Sequence, residues 1–215
     1  EWMNQWPVLF LSFKDVDGNC FENAYEMLKF ALSQTCITHT YLQQDPKIDD
    51  TFQKKFSALK DQTASLQEVK TSILILMQMM RDHYGKPVIL LIDEYDVPIA
   101  KASAKGYYPE MLEVIKGLMS TALKDNDALR FAVITGCLRI AKESIFTGTN
   151  NFVSDTISSS HLNEYFGFTQ ADVDQILKDA DCLEHATDIK NWYDGYHFGD
   201  LDVYCPWDVM NYLRD

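Results

Sequence analysis

Three short runs of mainly apolar residues constrain the fold of this chain more than any other feature. They are Val8–Phe13, Val88–Ile92 and Phe131–Thr135, and their apolar residues are consecutive rather than alternating. Runs of this kind are typical of parallel strands that helices cover on both faces of a sheet. We therefore predict a parallel sheet made of these three strands, with both of its faces covered.

The segments between these runs carry signals for helices. Asn19 and Glu22 resemble a capping box, Ser65 and Glu68 form a clearer one, and Pro109 suits the first turn of a third helix. Strands that alternate with helices in this way indicate an α/β fold with a parallel sheet and flanking helices.

The pattern changes near residue 165, where shorter helical segments begin. Thr169 is placed as the N-cap of one such helix, and Pro206 suits the start of the last one. We predict two domains, an α/β core over residues 1–164 and a small helical, lid-like subdomain over residues 165–215.

Composition and charge exclude several classes of protein. No apolar run approaches the roughly 18 residues of a membrane-spanning helix, and the five cysteines lack the spacing of a metal site or a disulfide framework. The net charge is -13, and the residues from Asn151 onward hold 13 acidic and only 3 basic side chains. Such a charge repels phosphate backbones. We therefore expect a cytoplasmic protein that contacts neither membranes nor nucleic acid directly.

The stretch "VILLIDEYDVP", residues 88–98, runs from an apolar strand directly into Asp93, Glu94 and Asp96. Chemistry in open parallel sheets gathers beyond the carboxyl ends of the strands. There Asp93 would hold Mg²⁺, usually through water, and Glu94 would orient and deprotonate an attacking water. The same pattern also ends many strands at a protein surface, and a metal-dependent hydrolase that uses all three carboxylates is a third interpretation.

Two further residues follow the third apolar run. Thr135 is placed to hydrogen-bond an attacking water or a terminal phosphate, and Arg139 to reach phosphate charge. A turn residue and a surface arginine explain them equally well. The phosphate-binding pattern G-x-x-x-x-G-K-[ST] is absent from the printed sequence.

Five motifs, in order, resemble the bacterial predicted AAA-ATPase-like family. They are "VILLIDEYDVPI", "FAVITGCLRIAKESIFTGTNNF", "EYFGFTQADV", "WYDGYHFG" and "YCPWDVMNYL". The resemblance implies a P-loop NTPase core whose phosphate-binding loop lies upstream of Glu1, a lid after the core, and a PD-(D/E)XK nuclease domain beyond Asp215. It carries over Asp93 as the metal-holding residue, Glu94 as the catalytic one, and Thr135 and Arg139 as sensors of the nucleotide.

The function expected from this resemblance is that of an ATP-binding and ATP-hydrolysing switch protein. ATP and Mg²⁺ are the cofactors of the longer protein, and this chain alone should bind neither tightly. The alternative is a nucleotide-independent regulatory or interaction module on the same fold. Because the central first strand of such a sheet would be missing, we also expect a homo-oligomer or a strand swap at the open edge of the Phe131–Thr135 strand.

Overall fold

A computed structural model describes residues 3–137, 145 and 152–214 of the chain. Contacts between Cα atoms divide the chain into two compact units, residues 1–150 and residues 151–215. This division falls earlier in the chain than the boundary after residue 164 that the change in helix pattern suggested.

The first unit contains a three-stranded parallel sheet. Its strands are β1 (Val8–Ser12), β2 (Val88–Asp93) and β3 (Leu129–Ile134), in the order β1-β2-β3. All three lie where the apolar runs predicted strands, so the α/β fold class is confirmed. The order is consistent with a P-loop-like α/β fold.

Six α-helices of the first unit are described. They are α1 (Phe21–Thr38), α2 (Asp50–Lys60), α3 (Leu66–Lys70), α4 (Ser72–Tyr84), α5 (Val97–Lys105) and α6 (Tyr108–Leu123). A 3₁₀ turn follows α1, and the sequence signals had not indicated α2 or α5.

Helix ends follow the local signals in most cases. Ser65 and Glu68 form the predicted capping box of α3, but Thr71 separates α3 from α4, so the segment is two helices rather than one. Gly85 ends α4 in the left-handed conformation, with φ of 66°, which glycine adopts without a steric penalty. The capping box expected at Asn19 was wrong, because α1 has Cys20 at its N-cap and no side chain caps it.

Only one face of the sheet is covered among the described residues. Leu9 and Leu11 of β1 and Leu90 of β2 are buried. Side chains on the opposite face are exposed, namely Val8, Phe10, Phe131 and Val133. The prediction that both faces are covered was therefore wrong for the described part of the chain. Both connections step across the sheet in the same direction, and right-handed crossovers then place their helices on the same face.

The second unit is a small helical domain with a hairpin. It contains α7 (Gln170–Asp179), α8 (Ala186–Tyr193), β4 (Asp194–Phe198), β5 (Leu201–Tyr204) and α9 (Pro206–Arg214). Strands β4 and β5 pair antiparallel, and the sequence signals had not indicated them. The core of this unit is Val173, Leu177, Ile189, Tyr204 and Val209. Thr169 caps α7 as predicted, in a reciprocal capping box with Asp172.

Two findings bear on partners. No helix among the described residues combines the length and apolar character needed to cross a bilayer. In the described part of the sheet, β3 pairs with β2 only, and residues 153–160 belong to no strand. The homo-oligomer or strand swap at this edge stays a prediction.

Candidate functional site

The candidate site lies at the carboxyl edge of the sheet, on its central strand. Asp93 is the last residue of β2 and is half-buried, and Ser12 of β1 is its Cα partner on one side. On the other side Thr135 directly follows β3, and its hydroxyl donates a 2.5 Å hydrogen bond to Oδ1 of Asp93. The structure thus brings Asp93 and Thr135 together, as expected for the ends of neighbouring parallel strands.

Thr135 contacts the β2 end at three points. Its backbone N–H donates to Ile92 O at 2.9 Å, and its carbonyl accepts from the Tyr95 N–H at 3.1 Å. The third contact is the hydroxyl bond to Asp93. Because these bonds fix both sides of the turn, Thr135 restricts where the Asp93 carboxylate points and where the chain turns after it.

Glu94 begins that turn in a backbone conformation that a glutamate seldom adopts. Its φ is 54°, in the left-handed region, and its carbonyl accepts from the Val97 N–H at 3.1 Å. A non-glycine residue in this region stores about 1 kcal/mol or more, and such residues concentrate at functional sites. The half-buried Glu94 is therefore held in place by the fold at the expense of local strain.

Asp96 has a different environment from Asp93. It is the N-cap of α5 by its backbone, since its carbonyl accepts from Ile99 and Ala100 N–H, and only 3% of it is exposed. The backbone of Gly136 approaches it so closely that a Cβ there would lie 2.4 Å from Asp96 Oδ1. This contact explains why position 136 needs glycine, a requirement that the sequence signals had not separated from an ordinary turn.

The three carboxylates do not converge on one point. The described residues contain no group of three or more His, Cys, Asp or Glu side chains placed to hold a metal ion. The interpretation as a hydrolase with all three carboxylates on its metal has no support in this part of the chain. Mg²⁺ bound by one carboxylate, with waters and phosphate oxygens as its other ligands, is compatible with this geometry.

Ser12 is the residue at this edge that the sequence motifs did not single out. It borders Asp93 through the β1–β2 register, and its hydroxyl accepts a 3.4 Å hydrogen bond from the Lys14 N–H. Only the pairing of strands reveals it, because Ser12 lies 81 positions before Asp93 in the chain. Arg139, the remaining predicted site residue, lies outside the described residues.

Comparisons with known proteins identify the family of this chain. The family described as "Predicted AAA-ATPase" matches residues 1–146. A protein of Azotobacter chroococcum mcd 1, named only as an uncharacterized protein in the 5′ region of vnfD, is 34% identical over 130 residues, which are 59% of this chain and 24% of that protein. The chain thus spans about a quarter of that relative. No solved structure matches. The family covers well over half of the chain, including β1, β2, β3 and the Asp93–Thr135 pair, and the chain belongs to the predicted AAA-ATPase family.

Proposed function

We propose that Asp93 and Glu94 form the cation-binding and water-activating part of an ATPase site in a switch protein. The observation that carries the proposal is the Asp93–Thr135 hydrogen bond of 2.5 Å at the carboxyl edge of the sheet. It joins the ends of two parallel strands at the place where open α/β sheets bind ligands.

Asp93 has the chemistry of a magnesium ligand. Thr135 holds Oδ1, which leaves Oδ2 as the oxygen to face a hydrated cation. A hard cation such as Mg²⁺ takes oxygen ligands, and when bound with ATP it neutralises charge on the phosphate oxygens. Asp93 and its Thr135 partner supply an oriented oxygen, and thus fit this cation.

Glu94 has the position of a general base. It follows Asp93 directly, and its left-handed backbone turns the chain away from the direction of β2. We assign to it the orientation and deprotonation of the attacking water, a role that typically contributes 10²–10⁴-fold in rate. In this scheme Thr135 is a positioning residue, since it acts through Asp93, and Arg139 responds to phosphate charge.

The phosphate-binding loop belongs in this proposal to another part of a longer protein. The uncharacterized relative is about four times as long as the segment that matches, so room for further domains exists in the family. We propose that ATP and Mg²⁺ bind where that loop meets Asp93, and that γ-phosphate contacts shift the protein between two conformations. We propose that this conformational change controls a nuclease domain that follows the lid.

The test compares ATP binding and phosphate release in the full-length protein. We expect Glu94→Gln to keep ATP affinity within about twofold and to lose at least about 100-fold in turnover, because the amide cannot accept the proton. The matched control is Glu110→Gln, an exposed glutamate in the first turn of α6, which should change neither quantity.

Three outcomes would contradict parts of this assignment. Unchanged phosphate release in Glu94→Gln removes Glu94 from the mechanism. Mg²⁺-dependent ATP binding that survives Asp93→Asn removes Asp93 as the metal-holding residue. An intact full-length protein that binds no ATP favours the alternative function, a regulatory module that works without nucleotide.

A further inference from the structure

The structure contains a second candidate site, a groove along the outer edge of β1. The groove has a volume of about 830 Å³ and follows β1 from Val8 to Ser12 and then the loop to Lys14. Its opposite wall is α1, where Met27, Ala31, Gln34 and Thr38 face it at the spacing of one helical stripe. It is distinct from the Asp93–Thr135 contact, because Thr135 lies on the other side of β2.

The backbone of β1 is open toward this groove. Pro7 O accepts a hydrogen bond from Ile89, and the Phe13 N–H donates to Asp93 O. In a parallel ladder alternate residues bond to the same neighbour, so Val8, Phe10 and Ser12 direct their N–H and C=O groups away from β2. The described residues offer these backbone groups no hydrogen-bond partner.

The groove also offers apolar contacts at alternate positions. Phe10 is 56% exposed and Val8 42%, and Phe30 of α1 is nearly half exposed on the facing wall. An edge strand of this kind usually carries a lysine, a proline or a bulge that prevents pairing. β1 has none between Val8 and Ser12, so its edge can accept another strand.

Charge at one end of the groove favours an acidic group. Lys14 is exposed and has no ion pair among the described residues. The Lys101 side chain is 51% exposed, and its Nζ lies 3.8 Å from Oδ2 of Asp17, which is a long contact for an ion pair. Oδ1 of Asp17 lies 2.7 Å from Nζ of Lys105. Lys14 and Lys101 line this end of the groove together with Asp15 and Asp17. Lys105, outside the lining, pairs with Asp17, so the whole cluster holds three lysines and two aspartates. At the opposite end burial lowers the pKa of His39, which favours its neutral form.

We propose that this groove binds an extended segment of a partner protein, which adds to β1 as a fourth strand. The segment has alternating apolar side chains and a carboxylate at the end next to Lys14. The five residues of β1 span about 17 Å, so an extended segment of five residues can pair along the whole strand. A groove between an edge strand and a helix is a known arrangement for recognition by strand addition.

The first test uses peptides and the 215-residue chain. The probe is a fluorescein-labelled heptapeptide that alternates valine and threonine and ends in glutamate, measured by fluorescence anisotropy. A matched peptide is N-methylated at alternate residues, which removes the backbone donors but keeps the side chains. We expect N-methylation to weaken binding at least about tenfold, and replacement of the terminal glutamate by lysine to weaken it as well.

The second test changes the groove itself. Phe10→Pro removes an N–H that faces the groove and no bond to β2, which an edge strand tolerates, and should weaken binding about fivefold beyond Phe10→Ala. The matched control is Phe131→Ala, because Phe131 on β3 is also 56% exposed and should not affect the peptide. Lys14→Glu should weaken binding, and most strongly at low salt.

Several results would overturn the proposal. Absence of binding at millimolar peptide, or equal binding of the N-methylated peptide, excludes strand addition. Loss of binding in Phe131→Ala alone moves the site to β3. Self-association of the chain that Phe10→Pro abolishes, without peptide binding, would make a second copy the occupant. If Phe10→Pro fails to fold, the N-methylated peptide on the unchanged chain still decides the question.

Discussion

Removal of the Thr135 hydroxyl is the most direct test of the candidate site. Thr135→Val keeps the size and β-branching of the side chain and both backbone bonds of Thr135, but it removes the 2.5 Å bond to Asp93. A hydrogen bond to a charged group contributes about 1.5–3 kcal/mol when buried. Thr135 is exposed and Asp93 is half-buried, so in the variant water replaces part of this hydrogen bond. We therefore expect Thr135→Val to lower the free energy of unfolding by about 1 kcal/mol.

This loss corresponds to measurable shifts in the unfolding of the first unit. At a urea m-value of about 2 kcal/mol/M it lowers the midpoint by about 0.5 M, and in a unit of this size it lowers Tm by about 2–4 °C. Trp192 and Trp207 lie in the second unit. Replacing both with phenylalanine leaves only tryptophans of the first unit to report its transition.

A double-mutant cycle separates the pair from other effects of the substitution. The cycle combines Thr135→Val with Asp93→Ala, which removes the acceptor, and we expect a coupling energy of about 1 kcal/mol. Thr135→Ser, which restores the hydroxyl, should recover most of the stability. A coupling energy near zero, or a serine variant as unstable as the valine variant, would refute the conclusion that Thr135 positions Asp93.

Three further perturbations test other parts of the fold. Gly136→Ala should lower the stability of the first unit by about 1–3 kcal/mol in thermal unfolding, since its Cβ would lie 2.4 Å from a carboxylate oxygen of the turn, and an unchanged Tm would contradict that contact. Thr169→Ala should destabilise the second unit by about 1 kcal/mol, by loss of the capping box with Asp172, whereas Thr169→Ser should not. The bond from His83 lowers the pKa of Asp45 below its usual 3.8, so this pair stabilises the native state at higher pH and loses that effect as pH falls through the lowered pKa. Asp45→Asn should therefore be less stable than the wild type at about pH 6 and similar to it well below pH 3.8, and a difference that persists in acid would argue against the pair.

The strand pattern of the first unit was predictable because it depends on local sequence. Runs of consecutive apolar residues, separated by capped helices, predict parallel strands, and β1, β2 and β3 occur there. The open face was not predictable in the same way. Apolar residues at Phe10 and Phe131 predict that this face is covered, but in the described residues both side chains are more than half exposed, and the sequence does not indicate which segment could cover them.

The candidate site was predictable at Asp93 and Thr135 for a geometric reason. Both end neighbouring parallel strands, and such ends meet at one edge of a sheet. The separation of Asp96 from Asp93 was not predictable, because it depends on how the turn after Glu94 directs each side chain. The β4–β5 hairpin was missed because its strands are only five and four residues long and Gly195 interrupts β4.

The position of Asp93 in the sheet determines which residues lie beside it in the proposed site. β2 is the one described strand of the parallel sheet with a neighbour on each side, so Asp93 has a hydroxyl-bearing residue beside it on both, Ser12 and Thr135. A strand that paired with β3 in parallel would end next to Thr135, about 4.8 Å farther along the edge. The residues that follow such a strand would then lie at the same edge of the sheet as Asp93 and Thr135. We therefore expect the chemistry of Asp93 to depend on what pairs with β3.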